Sequence, residues 1–332
     1  MSGASDLNPA LDVSVVVCTR NRAEPLRRLL TSMAEMQTPP GLNWELVVVD
    51  NGSTDRTREV AASFSDRLPI VYTAEQKAGL SNARNHGVSV ARGRYLCWTD
   101  DDVTVDRDWL SAYVAAFREH PEAAIFGGRI VPVLEGPTPK WFARYSSRWP
   151  LTGLVASREF GDEPRPIDFR RDVIPWGANF AIRAEEQRQH RYDVGLGVSP
   201  LQRRSGEECQ LMYEIAQQGA SGWMIPESKV HHHYPPHRQS FRYLFDHYRA
   251  IGETQAYLDE TRPHHVMNQD GRGPRVFGVN PSGPWLIYLI NFVAYSFFRA
   301  IGLTLRSTYH LRRSGLYKGI YAYNVASRSR GP

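Results

Sequence analysis

Residues 95–110 read YLCWTDDDVTVDRDWL. Tyr95 to Thr99 have the length and composition of a buried strand, and they run directly into Asp100, Asp101 and Asp102. Three adjacent carboxylates repel one another. Their place at the end of a core strand therefore calls for a cation, a solvated turn or a charged loop.

The segments upstream repeat the pattern. VSVVVC (13–18) is short and rich in β-branched residues, as a strand buried on both faces should be. It ends in TRNR (19–22). Next comes a helical spacing of Leu26, Leu29, Leu30 and Met33, with Pro25 suited to the first turn. Glu45 to Val49 form a second strand that ends at Asp50, within DNGSTD (50–55). A helix with Ser53 or Thr54 as its cap is expected to follow. Ile70 to Tyr72 read as a third strand, Ser81 to Ala91 as a helix stopped by Gly93, and Tyr95 to Thr99 as the fourth strand. Strands alternating with helices imply an α/β fold with a mostly parallel sheet flanked by helices. In such sheets ligands bind beyond the carboxyl ends of the strands, and those are the places where the polar motifs recur.

Downstream, residues 134–170 are rich in Pro, Trp and Arg and read as loops and short elements. VIPWGANFAIR (173–183) is a further apolar segment, with Gly177 and Asn179 as expected backbone specialists. GEECQLMYEIAQQG (206–219) opens with acids and closes with Gly, as a helix should. A last strand, GWMIPESKVHHH, ends in His231, His232 and His233. After Tyr234 the character changes. Residues 240–260 look helical, 268–284 are rich in Gly and Pro, and WLIYLINFVAYSFF (285–298) is uncharged. Fourteen residues are few for a membrane-spanning helix and suit an interfacial segment better. The expected domains are 1–233 and 234–332.

The chain has 332 residues and a net charge of +5, unevenly placed. From Pro281 onward there are seven Lys or Arg and no Asp or Glu. This composition points to an anionic surface. The tail is strongly apolar as well as basic, so a membrane is expected and nucleic acid is not. The alternative is a tail that packs on the protein or mediates self-association. None of the three cysteines lies in a CxxC pair, so a disulfide framework is not expected and a reducing compartment fits. The polar N-terminus lacks an apolar export core. The expected location is cytoplasmic, on the inner face of the cell membrane.

Each polar cluster has a chemical reading and a plain one. Carboxylates Asp100 to Asp102 suit a hard divalent cation, Mg2+ or Mn2+, bridging to phosphates; otherwise they form a solvated turn. Asp50 suits hydrogen bonds from a nucleobase or ribose, and Arg20 or Arg22 suits phosphate; ordinary βα-turn chemistry is the alternative. AGLSNARN (78–85), with Gly79, Asn82 and Arg84, places a helix start and a guanidinium where an anion would sit. Glu207 and Glu208 suit a general base, or simply stabilise the helix dipole. Alternate strand residues share a face, so at most two of the three histidines project together.

Taken together, VSVVVCTRNR, ELVVVDNGSTD, AGLSNARNHGVSVARGRYLCWTDDDV, VDRDWL, WGANFAIR and GEECQL resemble the family 2 glycosyltransferases, inverting enzymes of the GT-A fold. The likeness runs from Val13 to about His233. It implies a Rossmann-like GT-A domain, a nucleotide-diphosphate sugar donor (most commonly UDP-linked) and a divalent cation. It places Thr19, Arg20 and Asp50 at the nucleoside, Arg84 near the donor and Asp100 by the ribose or sugar. Asp101 or Asp102 would hold the cation, with His231 or His233 as candidates to complete it. Where the family often has Glu-Asp this chain has Glu207-Glu208, so Glu208 is the expected base. Trp176, Gly177 and Asn179 are candidates for the acceptor side, and the acceptor is expected to be a glycan or a lipid-linked saccharide. A nucleotidyltransferase and a non-catalytic binding protein are the competing readings.

Overall fold

The computed structural model describes residues 11–146, 151, 153–262, 265 and 282–328. The expected loop at 268–284 lies mostly outside them. The chain divides into two compact units, each assembled from separate stretches.

The first unit comprises Met1–Val131, Arg158–Val194 and Leu211–His232. In chain order, the strands and helices begin with β1 (Val13–Thr19), α1 (Ala23–Glu35), β2 (Trp44–Asp50), α2 (Thr57–Ala62), β3 (Ile70–Ala74), α3 (Leu80–Val90), β4 (Tyr95–Asp100), β5 (Val103–Val105) and α4 (Trp109–Glu119). β6 (Ile125–Leu134) follows, then α5 (Lys140–Tyr145) and β7 (Arg165–Pro166). β8 (Asn179–Arg183), α6 (Ala184–Gln189), α7 (Glu207–Gln217) and β9 (Gly222–Tyr234) come next. The described residues form a nine-stranded sheet ordered β3-β2-β1-β4-β8-β6-β9-β5, with β7 on β9.

The expected parallel sheet is present in β3, β2, β1 and β4, all parallel. Beyond β4 the sheet turns antiparallel: β8 opposes β4 and β6, and β5 opposes β9. A parallel neighbour requires a long crossover, usually a helix, whereas an antiparallel one does not. The stretch between β6 and β8 carries only short elements, consistent with that difference.

The core explains the local sequence. Val13, Val15, Val16 and Val17 are all buried, so β1 is covered on both faces, as its unbroken apolar run predicts. Leu26, Leu29, Leu30 and Met33 form the buried stripe of α1. Trp98 stacks on Phe180 and meets Tyr192 edge-on. The expected Ser53 or Thr54 cap of α2 is not formed: the N-cap position is Arg56, which makes no side-chain cap bond. Thr57 starts α2, and Asp55 accepts from its backbone N–H at 3.1 Å. Ser53 and Thr54 instead face Asn21: Ser53 Oγ accepts from the Asn21 N–H at 2.8 Å, and Thr54 N–H donates to Asn21 Oδ1 at 2.7 Å.

The second unit comprises Pro132–Ser157, Gly195–Gln210 and His233–Pro332. It holds three long helices, α8 (Phe241–Thr261), α9 (Ser282–Ala300) and α10 (Thr304–Arg328). Phe142, Leu151, Leu154 and Val155 pack with Leu244, Tyr248 and Leu311 in one apolar cluster. That shared core explains why a segment from the middle of the chain joins the C-terminal helices. Gly319 permits a close crossing of α10 on α8, because a Cβ there would meet the Arg249 carbonyl oxygen at 2.0 Å. Among the described residues no helix is long and apolar enough to cross a membrane.

Candidate active site

In the first unit, the carboxyl ends of β1, β2 and β4 lie side by side. The register pairs Thr19 with Asp50 and Cys18 with Asp100, so the strand-end motifs converge as neighbours. Asp101 is 6 % exposed. It accepts hydrogen bonds from Thr19 Oγ1 at 2.7 Å and Arg22 Nε at 2.7 Å. The same guanidinium reaches Asp102 Oδ2 through Nη2 at 2.8 Å. Burial pushes the Asp101 carboxyl up; the Arg22 charge and the Thr19 hydroxyl oppose that rise, while the Asp102 and Asp100 carboxylates add to it.

Arg22 reaches these aspartates because the chain turns sharply after β1. Asn21 has φ of 52°, a left-handed conformation that Asn tolerates better than most residues. Its bonds to Ser53 and Thr54 hold the turn. Asp55 further ties the two helix starts by accepting from the Ala23 N–H at 3.1 Å.

Asp100, Asp102 and His232 each offer a ligand atom, and these atoms lie within 4.8 Å of one another. His232 lies opposite Val103 in the β5–β9 ladder, which brings its imidazole beside the neighbouring aspartate: Nε2 is 3.0 Å from Asp102 Oδ1. Of the expected histidine ligands, His231 lies 2.7 Å from Asp106, and in the second unit His233 lies 3.1 Å from Glu135. Period-two alternation accounts for this, since His231 and His233 share one side of β9 and His232 projects from the other. Asp101, also expected as a ligand, is committed to Thr19 and Arg22.

The remaining residues of the sequence reading are spread around these strand ends. Asp50 is buried and accepts from Tyr72 Oη at 2.5 Å and from the Ser53 N–H at 2.8 Å. Burial, then the Asp50 hydrogen bond, holds the Tyr72 phenol well above its ordinary value. Arg20 is exposed. Gly79 precedes α3 with φ of 133° and donates its N–H to Asn51 Oδ1 at 2.7 Å. Asn51 Nδ2 also donates to the Glu75 and Lys77 carbonyls, so Asn51 fixes the loop leading into α3. Asn82 donates to the Ala78 carbonyl at 3.2 Å. Arg84 is buried, lies over the Phe180 and Tyr192 rings and reaches Asp100 at 3.6 Å.

Trp176 is half-buried and carries the Arg158 guanidinium 3.6 Å above its ring. Neither Gly177 nor Asn179 has a positive φ, so neither is the backbone specialist expected. Asn179 is instead a buried polar hub. Its Oδ1 accepts from Trp109 Nε1 and Tyr113 Oη, each at 2.8 Å. Its Nδ2 donates to the Arg129 carbonyl at 2.9 Å and the Ser228 carbonyl at 2.8 Å. All four hydrogen-bonding positions of the amide are filled, which leaves none for an acceptor.

In the second unit, Glu207 and Glu208 open α7. Gly206, with φ of +86°, supplies the turn before them, and its carbonyl accepts the Gln210 N–H at 2.9 Å. The segment leading into this turn rests on the C-terminal helices. Ser205 N–H donates to Thr254 Oγ1 at 2.9 Å. Arg204 donates to the Gly195 carbonyl at 2.6 Å and lies 4.7 Å over the Tyr257 ring. Glu207 is buried and Glu208 half-buried.

Residues 14–185 match the family described as glycosyl transferase family 2. The match covers more than half the chain, and the chain belongs to that family: it is a glycosyltransferase. The succinoglycan biosynthesis protein ExoM of Rhizobium meliloti is 26 % identical over 262 residues, which cover 77 % of this chain and 78 % of that protein. The pre-mycofactocin glycosyltransferase of Mycobacterium tuberculosis is 27 % identical over 84 % of this chain, which spans only 53 % of that relative. Glucosyl-dolichyl phosphate glucuronosyltransferase of Haloferax volcanii is 30 % identical over 49 % of this chain and 54 % of its own length. Among solved structures, S. aureus TarS 1-349 in complex with UDP-GlcNAc superposes with a TM-score of 0.55, at 16 % identity over 96 % of this chain and 92 % of that one. GalNAc-T7 with UDP, GalNAc and Mn2+ gives 0.52 at 19 % identity, covering 78 % of this chain and 52 % of that one. These likenesses place the chain in the GT-A fold.

Proposed function

We propose that the chain is an inverting, cation-dependent glycosyltransferase. It moves a hexose from a UDP-sugar to a hydroxyl of a glycan or lipid-linked acceptor. The observation that carries this reading is the convergence of Asp100, Asp102 and His232 at the carboxyl end of β4. Two carboxylates and an imidazole are donors that suit Mn2+ or Mg2+, and Asp100, Asp102 and His232 would hold the ion. When bound, the cation offsets negative charge on the leaving nucleoside diphosphate. The uridine nucleotide is proposed by analogy with the titles of the TarS and GalNAc-T7 structures. The lipid-linked acceptor follows the name of the haloarchaeal relative.

The chain's own residues then divide the work. Asp50, with its two oriented oxygens, accepts from the nucleoside, and Thr19 and Arg20 border it. Arg22 keeps Asp101 and Asp102 in place. The start of α3, with Gly79 and Asn82, and the Arg84 guanidinium face the donor's phosphates and sugar. Glu208 takes the proton of the acceptor hydroxyl as its oxygen bonds to the anomeric carbon. The bond from that carbon to the diphosphate breaks on the opposite face, so the configuration inverts. The order of motifs along the chain supports Glu208 over Glu207, as does the burial of Glu207. Trp176 and Gly177 remain the acceptor-side candidates. The work is placed at the inner face of a membrane.

Thermal shift against a panel of nucleotide sugars, with and without Mn2+, tests the reading. One UDP-sugar should raise Tm in the presence of the ion, and the rise should vanish in Asp102→Asn. A panel in which no donor shifts Tm, with or without the ion, would sink it.

A further inference from the structure

Helix α9 is inside out for a protein in water. Fourteen large hydrophobic side chains are exposed among the described residues, and ten of them lie between Trp285 and Leu305. Leu286, Ile290, Val293, Phe297 and Ile301 follow one another at helical spacing, each more than half exposed. The opposite side carries the polar group. Asn291 is buried, donates to the Ile287 carbonyl and meets His310 of α10 at 3.0 Å. Ser314 of α10 reaches the Tyr288 carbonyl at 3.4 Å. Scattered exposed hydrophobics are ordinary, but a continuous apolar stripe of this length marks a docking surface.

The charges name the partner. Arg306, at the start of α10, is exposed, Arg299 of α9 lies over the Phe241 ring of α8 at 4.2 Å, and no Asp or Glu occurs from Pro281 onward. At one end of the helix, Lys318 lies 5.0 Å from the Trp285 and Tyr288 rings and 5.5 Å from Tyr321. This mixture of amphipathic rings and a cation suits the headgroup level of a bilayer. The tail of a second copy would bring further cations and no acid to pair Arg306 or Lys318. The 19 residues of α9 span about 28 Å, yet α9 does not qualify as a span. A bilayer that met this face would therefore meet it along the helix, in plane.

We infer that the outer face of α9 is the membrane-docking surface of this protein and that it binds in plane on a bilayer of anionic phospholipids. Its apolar stripe enters the acyl boundary, and Arg306 and Lys318 meet the headgroups. The inference is independent of the donor chemistry, because it uses no residue of the strand-end site.

Flotation of the full chain on vesicles tests it. The native protein should float with vesicles containing phosphatidylglycerol and much less with pure phosphatidylcholine. Ile290→Asp with Phe297→Asp should abolish flotation while circular dichroism and Tm are kept. Arg306→Ala with Lys318→Ala leaves the apolar stripe intact, so it also serves if the aspartate variant misfolds. It should weaken binding by about fivefold per cation removed and flatten its salt dependence. Equal flotation of native and variant proteins would overturn the inference. So would native protein that stays at the bottom of both gradients, whether monomeric or in a dimer dispersed by the aspartate substitutions; the dimer would assign the face to a second copy.

Discussion

The strand ends of the first unit and helix α9 of the second depart from the ordinary partition of polar and apolar groups, in opposite directions. At the strand ends, Asp50, Asp101 and His232 are buried together with Arg84. On α9, leucine, isoleucine, valine and phenylalanine face solvent while an asparagine is buried. Buried charge is costly unless paired, and the Thr19, Arg22 and Tyr72 contacts offset much of that cost at the strand ends. Exposed apolar surface carries no such compensation within the fold. The polar cluster is thus largely satisfied internally and suits small ligands, whereas the exposed face of α9 is where a large partner is proposed.

The sharpest way to break this contrast is Asp102→Asn. That variant keeps the shape but weakens the ligand set and its bond to Arg22, and transfer should fall by about 10³-fold in a coupled assay of nucleoside diphosphate release. Near-native turnover would show that the cluster is merely structural. Glu208→Gln should lower kcat by roughly 10²-fold or more while the Tm rise given by the donor persists. Glu207→Gln should do less. If Glu207→Gln is the more damaging, the base assignment reverses.

Packing supplies the next effect. Asn179→Ala would leave Trp109 Nε1, Tyr113 Oη and two carbonyls without their partner, so denaturant unfolding should register a loss of about 3 kcal/mol. A smaller effect separates the α7 platform from the rest of its unit. Thr254→Val removes the hydroxyl that accepts the Ser205 N–H. It should cut kcat about fivefold, equivalent to ~1 kcal/mol, with unchanged donor affinity, and Thr254→Ser should restore the rate. A drop in donor affinity instead would argue against a positioning role.

The mildest test uses pH. Glu45 is buried against Ser14 and Arg92. Burial by itself would raise its carboxyl, but the Ser14 and Arg92 hydrogen bonds together outweigh it and hold the group below its ordinary value of 4.5. A depressed carboxyl stabilises the fold above the unfolded-state value, and that contribution is lost as pH falls through the folded-state one. Tm of the native chain should therefore drop more steeply below pH 4.5 than Tm of Glu45→Gln. Parallel curves would remove Glu45 from the account.

Much of the first unit was legible in the chain. β1, β2 and β4 are unbroken apolar runs that end in polar motifs, a pattern with few structural solutions. The helical tail was legible for the same reason, since its periodicity and its lack of acids are local properties. What escaped were pairings across distance. The choice among His231, His232 and His233 depends on the register of β5 on β9, and nothing near the HHH run encodes it. Asn179 looked like a turn residue because its four partners come from α4, β6 and β9. α2 begins only at Thr57, beyond Ser53 and Thr54, because the turn after β1 claimed those two.

By itself, the sequence determined the strand-helix alternation, the set of acids gathered at the strand ends, the family likeness and the basic, apolar tail. These follow from short-range periodicity and composition, which act within a few residues. Only the tertiary structure decided that Arg22 meets both Asp101 and Asp102 and that Asp102 also meets a histidine, that half the sheet runs antiparallel, and that α9 turns its apolar face outward. Those outcomes depend on register and packing between segments up to 130 residues apart, where one residue of slip along a strand reverses every side chain.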